Sequence, residues 1–518
     1  MLIKILLYLL LTHLFILSLH AQEHIDHDVI ARIKEEGFQN SQVMETISYL
    51  TDIYGPRVVG SPEYREAADW AKTLMVEWGL DNVRLESMDK GQRGWRIESF
   101  SIEMIEPRYM PIIGYPKAWC KSINGEIIGE PIIVTNIYEL DSLEKYQDKL
   151  KDKIVLIDKG RKIKPSFEPF SVRFNDDVLA ESEKTMVPFP SKTLYDWEAK
   201  TPLRERMPSW NEDDEKKQKV HQLLVAAEPA VLIEPSRKTH GIVQVEEAYF
   251  GNDQTIEPVP AFVIANEHFS RLIRMIKKDV MPTLKIHLNT TYFQNPEYNV
   301  NIIGEIKGAD KKLRSEIVLL GAHFDSWHAG TGATDNGASA AILMEVMRII
   351  KTLKLKPRRT IQIGLWGGEE VGFHGSRAYV KKHIGDLKTG EYKSEPAKIT
   401  AYLNLDNGIG KIRGIYLQGN EKARPIFAEL LAPFEYLGVK TLTIQSTTHT
   451  DHEVFDAMNI PSFQFIQDLI NYQAVTHHSN MDLYDYVIEE DVKQNVVIIA
   501  ALVYHLAIRD KAIPRKQY

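Results

Sequence analysis

Hydrophobic positions after Pro296 follow two alternating patterns. The runs SEIVLLGA, RTIQIGLW, ITAYLNL and PSFQFI have the length and the aliphatic or β-branched composition of buried strands. In residues 338–349 and 491–508 the apolar side chains instead recur every three or four positions, which predicts amphipathic helices. Strands that alternate with helices in this way predict an α/β fold, in which helices cover a β-sheet.

Two earlier stretches differ from this pattern. From Ile30 to about Leu80 the apolar spacing is helical, interrupted by the loop GPRVVGSPEY. Between about Ile123 and Asn289 short β-like runs, EPIIVTNI, DKIVLID and AVLIEP, are separated by charged and proline-rich segments, which predicts an inserted domain. Residues 199–220 inside it are highly charged, and we expect an exposed loop or a mobile helix there.

The N-terminal residues predict an export signal. Lys4 precedes a strongly apolar run from Ile5 to Leu17, and Ala21 offers a small residue for cleavage before Gln22. The run is shorter than the ~20 residues that a membrane-spanning helix needs, so a cleaved signal peptide over residues 1–21 is favoured over a membrane anchor. We therefore expect a periplasmic or secreted protein without stable membrane insertion after cleavage.

The composition is typical of a folded protein that does not bind nucleic acid. With 44% hydrophobic residues among 518, the chain can build a large core. A net charge of −8 disfavours binding to nucleic acid, which draws on clustered lysine and arginine. Cys120 is the lone cysteine and cannot form an internal disulfide, so we expect it to be buried.

Acidic and histidine residues follow the ends of the predicted strands. In open α/β sheets, ligand sites gather at the carboxyl ends of the strands. Imidazole and carboxylate groups suit zinc, and five candidate ligands exceed one tetrahedral site, so a carboxylate shared between two ions is expected. The candidate ligands are His323, Asp335, Glu370, Asp406 and His478, and Glu369 next to Glu370 is left to face a substrate.

These residues fall in the segments GAHFDSWHAGTGATDNGAS from Gly321, LWGGEEVGFHGSRAYV from Leu365, NLDNG from Asn404 and HHSNMDLYD from His477, and the segment TDHEVF from Thr450 accompanies them. They resemble the metallopeptidases of clan MH, family twenty-eight, and within it the carboxypeptidase Q group. The resemblance implies the zinc-aminopeptidase fold, a mixed β-sheet sandwiched by helices, with an inserted β-rich domain of protease-associated type. It implies a catalytic domain of residues 22–122 and 290–518 and an insertion of residues 123–289.

When the family's ligand roles are assigned to the matching motif positions, the resemblance implies a site with two zinc ions. His323 and Asp406 would hold one ion, Glu370 and His478 the other, and Asp335 would bridge both. Glu369 matches the general base, which would activate a metal-bridging water against the peptide bond of a short peptide. The expected activity is that of an aminopeptidase or dipeptidase.

Two finer assignments also follow from the resemblance. His478 is preferred to its neighbour His477 as the last ligand because the family places an aspartate four residues later, here Asp482. Asp325 completes the expected catalytic set as a carboxylate that hydrogen-bonds the free imidazole nitrogen of His323, which would fix the tautomer of the ring. The resemblance further implies a non-proline cis peptide between residues 335 and 336.

Several positions depart from the carboxypeptidase Q pattern and leave the substrate preference open. His328 stands where that pattern has aspartate, and Asn404 and Leu405 stand where glutamate and serine are usual. Two alternatives stay open: a glutaminyl cyclase with a single zinc on the same fold, and a receptor-like binding module. The intact set of candidate ligands favours the peptidase over both alternatives. The sequence leaves open whether the protein forms a homodimer.

Overall fold

The computed structural model describes residues 23–88, 92–190, 194, 203–249, 255–393 and 398–516. The expected signal peptide over residues 1–21 lies outside the described residues. The helices are α1 His27–Gln39, α2 Val43–Ser48, α3 Pro62–Glu77, α4 Leu140–Leu150, α5 Asp176–Glu183, α6 Leu203–Ala227, α7 Asn266–Ile276, α8 Ala338–Thr352, α9 His374–His383, α10 Arg424–Leu431, α11 His452–Asp456 and α12 Glu489–Ile508.

The strands are β1 Asp81–Ser87, β2 Gly94–Glu106, β3 Met110–Pro111, β4 Gly114–Pro116, β5 Glu126–Gly129, β6 Pro131–Ile133, β7 Ile154–Leu156, β8 Val231–Pro235, β9 Ala261–Ile264, β10 Thr283–Phe293, β11 Val300–Ile306, β12 Ile317–His323, β13 Thr360–Trp366, β14 Ile399–Asn404, β15 Ile412–Tyr416, β16 Thr441–Thr443 and β17 Ser462–Gln467. Short π-helical turns cover Tyr49–Ile53, Ala333–Gly337 and Tyr472–Thr476.

The main sheet is mixed and has eight strands in the order β1-β11-β13-β12-β14-β17-β15-β16. At its centre β12 runs parallel to β13 and β14, and β14 runs parallel to β17. The carboxyl ends of these strands therefore meet at one edge of the sheet. The outer pairs β1/β11, β11/β13 and β15/β17 are antiparallel.

Helices cover both faces of the main sheet. Because successive side chains of a strand point to opposite faces, Val318 and Leu320 enter the core under α1, α3, α8 and α12, while Leu319 packs with α9 and α11 on the other face. This arrangement confirms the predicted mixed sheet sandwiched by helices. Helix α12 is long and apolar enough to cross a membrane, but 89% of its apolar window is buried inside the protein, as for a core helix.

Two further sheets lie between α3 and β11 in the chain. The strand order is β3-β2-β10-β5 in the four-stranded sheet and β4-β9-β8-β7-β6 in the five-stranded sheet. Together they enclose a second hydrophobic core, which also contains Trp327 from the loop after β12. Cys120 is fully buried in this core, as expected. Of the charged stretch 199–220, the part from Leu203 onward is helical in α6.

Candidate metal centre

Three adjacent strands bring the candidate residues to the same edge of the main sheet. His323 is the last residue of β12, Asp406 follows β14, and Glu369 and Glu370 follow β13 after a two-glycine turn. The turn requires glycine, because Gly368 has a φ of +68°. A Cβ atom on the preceding glycine, residue 367, would lie 2.4 Å from the hydroxyl oxygen of a buried tyrosine.

The first cluster joins His323, Asp335 and Asp406. The Nε2 atom of His323 lies 3.2 Å from Oδ1 of Asp335 and 3.3 Å from Oδ1 of Asp406. All three side chains are at least nine-tenths buried, and their ligand atoms lie within 4.8 Å of one another. One imidazole and two carboxylates at this separation form a set that suits zinc.

The second cluster shares Asp335 with the first. The Nε2 atom of His478 lies 3.0 Å from Oε2 of Glu370 and 3.5 Å from Oδ2 of Asp335. The two carboxylate oxygens of Asp335 therefore face different histidines. Oδ2 of Asp335 and Oε1 of Glu370 are buried without a hydrogen-bond donor among the described residues, as expected for atoms that coordinate a cation.

The electrostatics of the site also fit bound cations. Burial, together with the charge of Asp406, raises the pKa of Glu369 well above its usual value, and burial with the charge of Asp335 does the same for the pKa of Glu370. Burial acts to lower the pKa of His323, but the neighbouring carboxylate of Asp406 raises it well above its usual value. Closely packed carboxylates with such shifts need positive charge to stay ionised.

Asp335 lies in the π-helical turn 333–337, and its peptide bond to Asn336 is cis. The expected non-proline cis peptide is therefore present. The backbone of Asp335 is non-helical, with a φ of −139° and a ψ of 84°. The preceding residue, Thr334, donates its backbone N–H to Oδ1 of Asp482 at 2.6 Å, which ties this turn to the loop that carries His478.

His477 and His478 stack on each other, with ring centroids 3.8 Å apart. A ring nitrogen of His477 also falls within 4.8 Å of ligand atoms of Asp335 and His478. The 3.0 Å approach to Glu370, however, is made by His478. Burial lowers the pKa of both histidines, which favours the neutral imidazole that binds metal.

Asp325 contacts three members of the predicted site. Its carboxylate accepts the backbone N–H of Glu369 at 3.2 Å and that of Glu370 at 3.4 Å. The Nδ1 atom of His323 lies 3.0 Å from the main-chain oxygen of Asp325 and 3.7 Å from its carboxylate. The main-chain oxygen, rather than the expected carboxylate, is thus the nearer partner of the imidazole, because the carboxylate is turned toward the amides.

Some residues of the site carried no clear signal in the sequence. The indole N–H of Trp327 donates to Oε2 of Glu370 at 2.8 Å, although an isolated tryptophan is ordinarily read as a core residue. Asp451 is fully buried near the site, and burial with the charge of Asp406 raises its pKa to about 8. Its segment, TDHEVF, carries part of the family resemblance but does not by itself indicate a role for this residue.

Comparisons with known proteins show which peptidases this chain resembles. Residues 301–503 match the model of peptidase family M28. Carboxypeptidase Q of Mus musculus is 23% identical over 481 residues, which cover 92% of this chain and 88% of the relative. Carboxypeptidase Q of Homo sapiens is 22% identical over 486 residues, with the same coverage of the two chains.

Solved structures share the fold. A peptidase M28 precursor from Shewanella amazonensis superposes with a TM-score of 0.64 at 23% identity and covers 95% of this chain and 99% of its own. A zinc aminopeptidase from Bacillus subtilis has a TM-score of 0.53 at 19% identity and covers 91% and 96% of the two chains. An aminopeptidase from Aneurinibacillus sp. strain AM-1 has a TM-score of 0.55 at 18% identity, with 94% and 98% covered.

Proposed function

We propose that the chain, whose residues 301–503 match the model of peptidase family M28, is an exported exopeptidase that binds two zinc ions and cleaves short peptides. It acts as an aminopeptidase or dipeptidase. The similarity to carboxypeptidase Q over 92% of the chain supports this proposal. The predicted signal peptide over residues 1–21 supports export to the periplasm or the medium.

The position of Asp335 is the observation that carries the proposal of two ions. Its Oδ1 lies beside His323 and its Oδ2 beside His478, so one carboxylate belongs to two separate clusters. His323 and Asp406 would hold one ion and Glu370 and His478 the other. When bound, the two ions would supply Lewis acidity, lowering the pKa of a water molecule and polarising the scissile carbonyl.

Glu369 is the general base in this proposal. It takes a proton from the attacking water and returns it to the nitrogen of the leaving amine, so its own protonation state is restored in each turnover. Burial raises the pKa of Glu369, and the two bound cations would oppose that rise and keep the carboxylate ionised, the form that accepts a proton. Asp325 keeps the residue in place by accepting its backbone N–H.

The division of the chain completes the proposal. The catalytic domain consists of residues 22–122 and 290–518, and residues 123–289 form an insertion of protease-associated type. Parallel strands β6 to β9 of the five-stranded sheet fall inside the insertion and support it as a separate unit. Strands β2 to β4 precede its first residue and β10 crosses its last, so the two smaller sheets extend beyond both proposed bounds. Strands β11 to β17 of the main sheet fall inside the catalytic domain.

Replacement of Glu369 by glutamine tests the proposal. We expect Glu369→Gln to abolish hydrolysis of a panel of dipeptides while the zinc content stays unchanged, because the amide cannot accept the proton. Glu305→Gln, on β11 away from the site, is the matched control and keeps wild-type turnover. Chelation of the wild type should abolish cleavage, and added zinc should restore it.

An active Glu369→Gln variant would refute the assignment of the base. Cyclisation of N-terminal glutamine by a protein with one zinc ion would instead favour the glutaminyl cyclase. A protein with neither bound metal nor turnover would favour the receptor-like module.

A further inference from the structure

A cavity of about 380 Å³ lies between helix α6 and strand β8 of the five-stranded sheet. A cavity of this size accommodates a small organic molecule. Its apolar wall includes Val220 of α6 and Ala248 of the segment that follows β8. Among the described residues that line it, none is a proposed metal ligand or the proposed general base. The cavity is therefore a site of its own, and its polar groups need an explanation apart from peptide hydrolysis.

The carboxylates of the cavity wall already have hydrogen-bond donors. Lys117 is buried, and its Nζ lies 3.0 Å from Oε1 of Glu234 and 3.3 Å from Oε1 of Glu246. Oε1 of Glu234 also accepts the hydroxyl group of Tyr138 at 2.6 Å. A buried ammonium group paired in this way with two carboxylates compensates their charge. The wall therefore does not favour a cationic ligand.

His221 lines the same cavity from α6. It is only 6% exposed, and within the described part of the chain no group forms a hydrogen bond with its ring. The rings of Tyr138 and Tyr249 pack against it, with centroids 6.0 and 4.7 Å away. Burial, and to a lesser extent the charge of Lys117, lowers the pKa of His221 to about 4, so the imidazole is neutral at pH 7 and carries one N–H donor. A buried donor without a partner is costly, and an acceptor bound in the cavity would remove that cost.

Two exposed cations also line the cavity and supply further donors. The side chains of Arg237 and Lys216 are 65% and 57% exposed. Arg237 lies 3.4 Å from Glu246, and Lys216 lies 3.6 Å from Glu139. A guanidinium group has five N–H donors and an ammonium group has three, so both side chains keep donors for another acceptor. Such donors beside an apolar wall suit an oxyanion that is attached to an apolar body.

We propose that this cavity binds a small organic oxyanion, with the charged group at His221 and Arg237 and the apolar body against Val220 and Ala248. The ligand is a molecule other than the peptide substrate, and its site lies in the part of the chain that carries the five-stranded sheet. The inference goes beyond the proposed peptidase function and does not depend on it.

Calorimetric titration of the full zinc-loaded chain with benzenesulfonate tests the proposal. A sulfonate is chosen because it is a poorer zinc ligand than a carboxylate or a phosphate. We expect one binding site with a Kd of about 1 mM, as for a ligand of this size. Methyl phenyl sulfone has the same ring without the charge, and inorganic sulfate has the charge without the ring. Each should bind at least ~10-fold more weakly, because each lacks one of the two features that the cavity recognises.

Variants locate the bound anion. Arg237→Met and His221→Phe should each weaken benzenesulfonate binding about 10-fold, the loss expected for one hydrogen bond to a charged group. His221→Gln should retain part of the affinity, because its amide still offers an N–H donor. Arg65→Met is the matched control and should bind like the wild type, since Arg65 is a partly exposed arginine on α3 that pairs with Asp69 at 2.8 Å.

Three results would overturn the proposal. The first is no binding by the wild type at about 10 mM benzenesulfonate. The second is equal affinity for the neutral sulfone, because the charge would then play no part. The third is wild-type affinity in both Arg237→Met and His221→Phe, because the anion would then lie elsewhere. Loss of peptidase activity, by contrast, bears only on the proposed function.

Discussion

Replacement of Asp325 by asparagine is a sensitive probe of how Glu369, the proposed general base, is positioned. The Asp325 carboxylate accepts the backbone N–H groups of Glu369, the proposed base, at 3.2 Å and of Glu370, a proposed metal ligand, at 3.4 Å, so it fixes the turn that carries both residues. Asparagine has the same shape but a single acceptor oxygen. In Asp325→Asn one of the two amides therefore loses its partner and faces an NH₂ group.

The expected magnitude follows from the loss of one hydrogen bond to a charged acceptor. Such a bond contributes ~1.5–3 kcal/mol, and the long distances place this case at the lower end. Because ~1.4 kcal/mol corresponds to a factor of ten in rate, we expect kcat to fall about 10- to 30-fold if the loss appears in the placement of Glu369. KM should change little, since Asp325 does not face the substrate in this account.

Steady-state kinetics on a dipeptide at saturating zinc measures this effect. Saturating zinc is required because a residue that supports metal ligands also changes metal affinity. Asp310→Asn is the matched control, since Asp310 likewise accepts two backbone N–H groups, from Lys312 at 2.8 Å and Leu313 at 3.4 Å, but lies away from the site. An unchanged kcat in Asp325→Asn, or an equal fall in the control, would refute the reasoning.

Three other predictions concern stability and metal affinity. Arg57 is fully buried and donates four hydrogen bonds to carbonyl oxygens, so Arg57→Met should lower the free energy of unfolding by about 4 kcal/mol in urea titrations; a loss under ~1 kcal/mol would contradict this. Burial lowers the pKa of His221 to about 4 from 6.5, so the unfolded chain binds the proton first and stability falls as pH decreases through this window. His221→Phe should remove up to about 3 kcal/mol of that decline between pH 7 and 4, and an unchanged pH profile would exclude it. Trp327→Phe removes the indole donor to Glu370 and should lower the affinity for one of the two proposed zinc ions about 10-fold, measured in competition with a chelator. An unchanged affinity would show that this hydrogen bond does not support the ligand.

The sequence was informative where the signal is local. The central strands β12, β13, β14 and β17 are continuous apolar runs because both of their faces are covered by helices, and such runs are recognisable without knowledge of the fold. The polar residues that follow these strands are recognisable because they end the apolar runs. His323, Glu370 and Asp406 could therefore be placed at one edge of the sheet before the structure was known.

Contacts between distant parts of the chain could not be predicted in this way. Trp327 reaches Glu370 because it is packed against Trp119 in the second core, 208 positions earlier in the chain, and no local periodicity encodes that contact. Residues 243–245 lie beside the loop that carries His478 because hydrogen bonds join them to residues 478–480, and no local pattern encodes that pairing either. The orientation of the Asp325 carboxylate depends on two amides of another loop.

The zinc content of the purified mature chain, measured by elemental analysis after equilibration with zinc and removal of free metal, tests the central claim most directly. The account predicts two zinc ions per chain in the wild type and a lower content in His478→Ala, which removes a ligand of one ion. A wild-type protein that holds one zinc ion, or none, would contradict the proposal that Asp335 joins two metal sites.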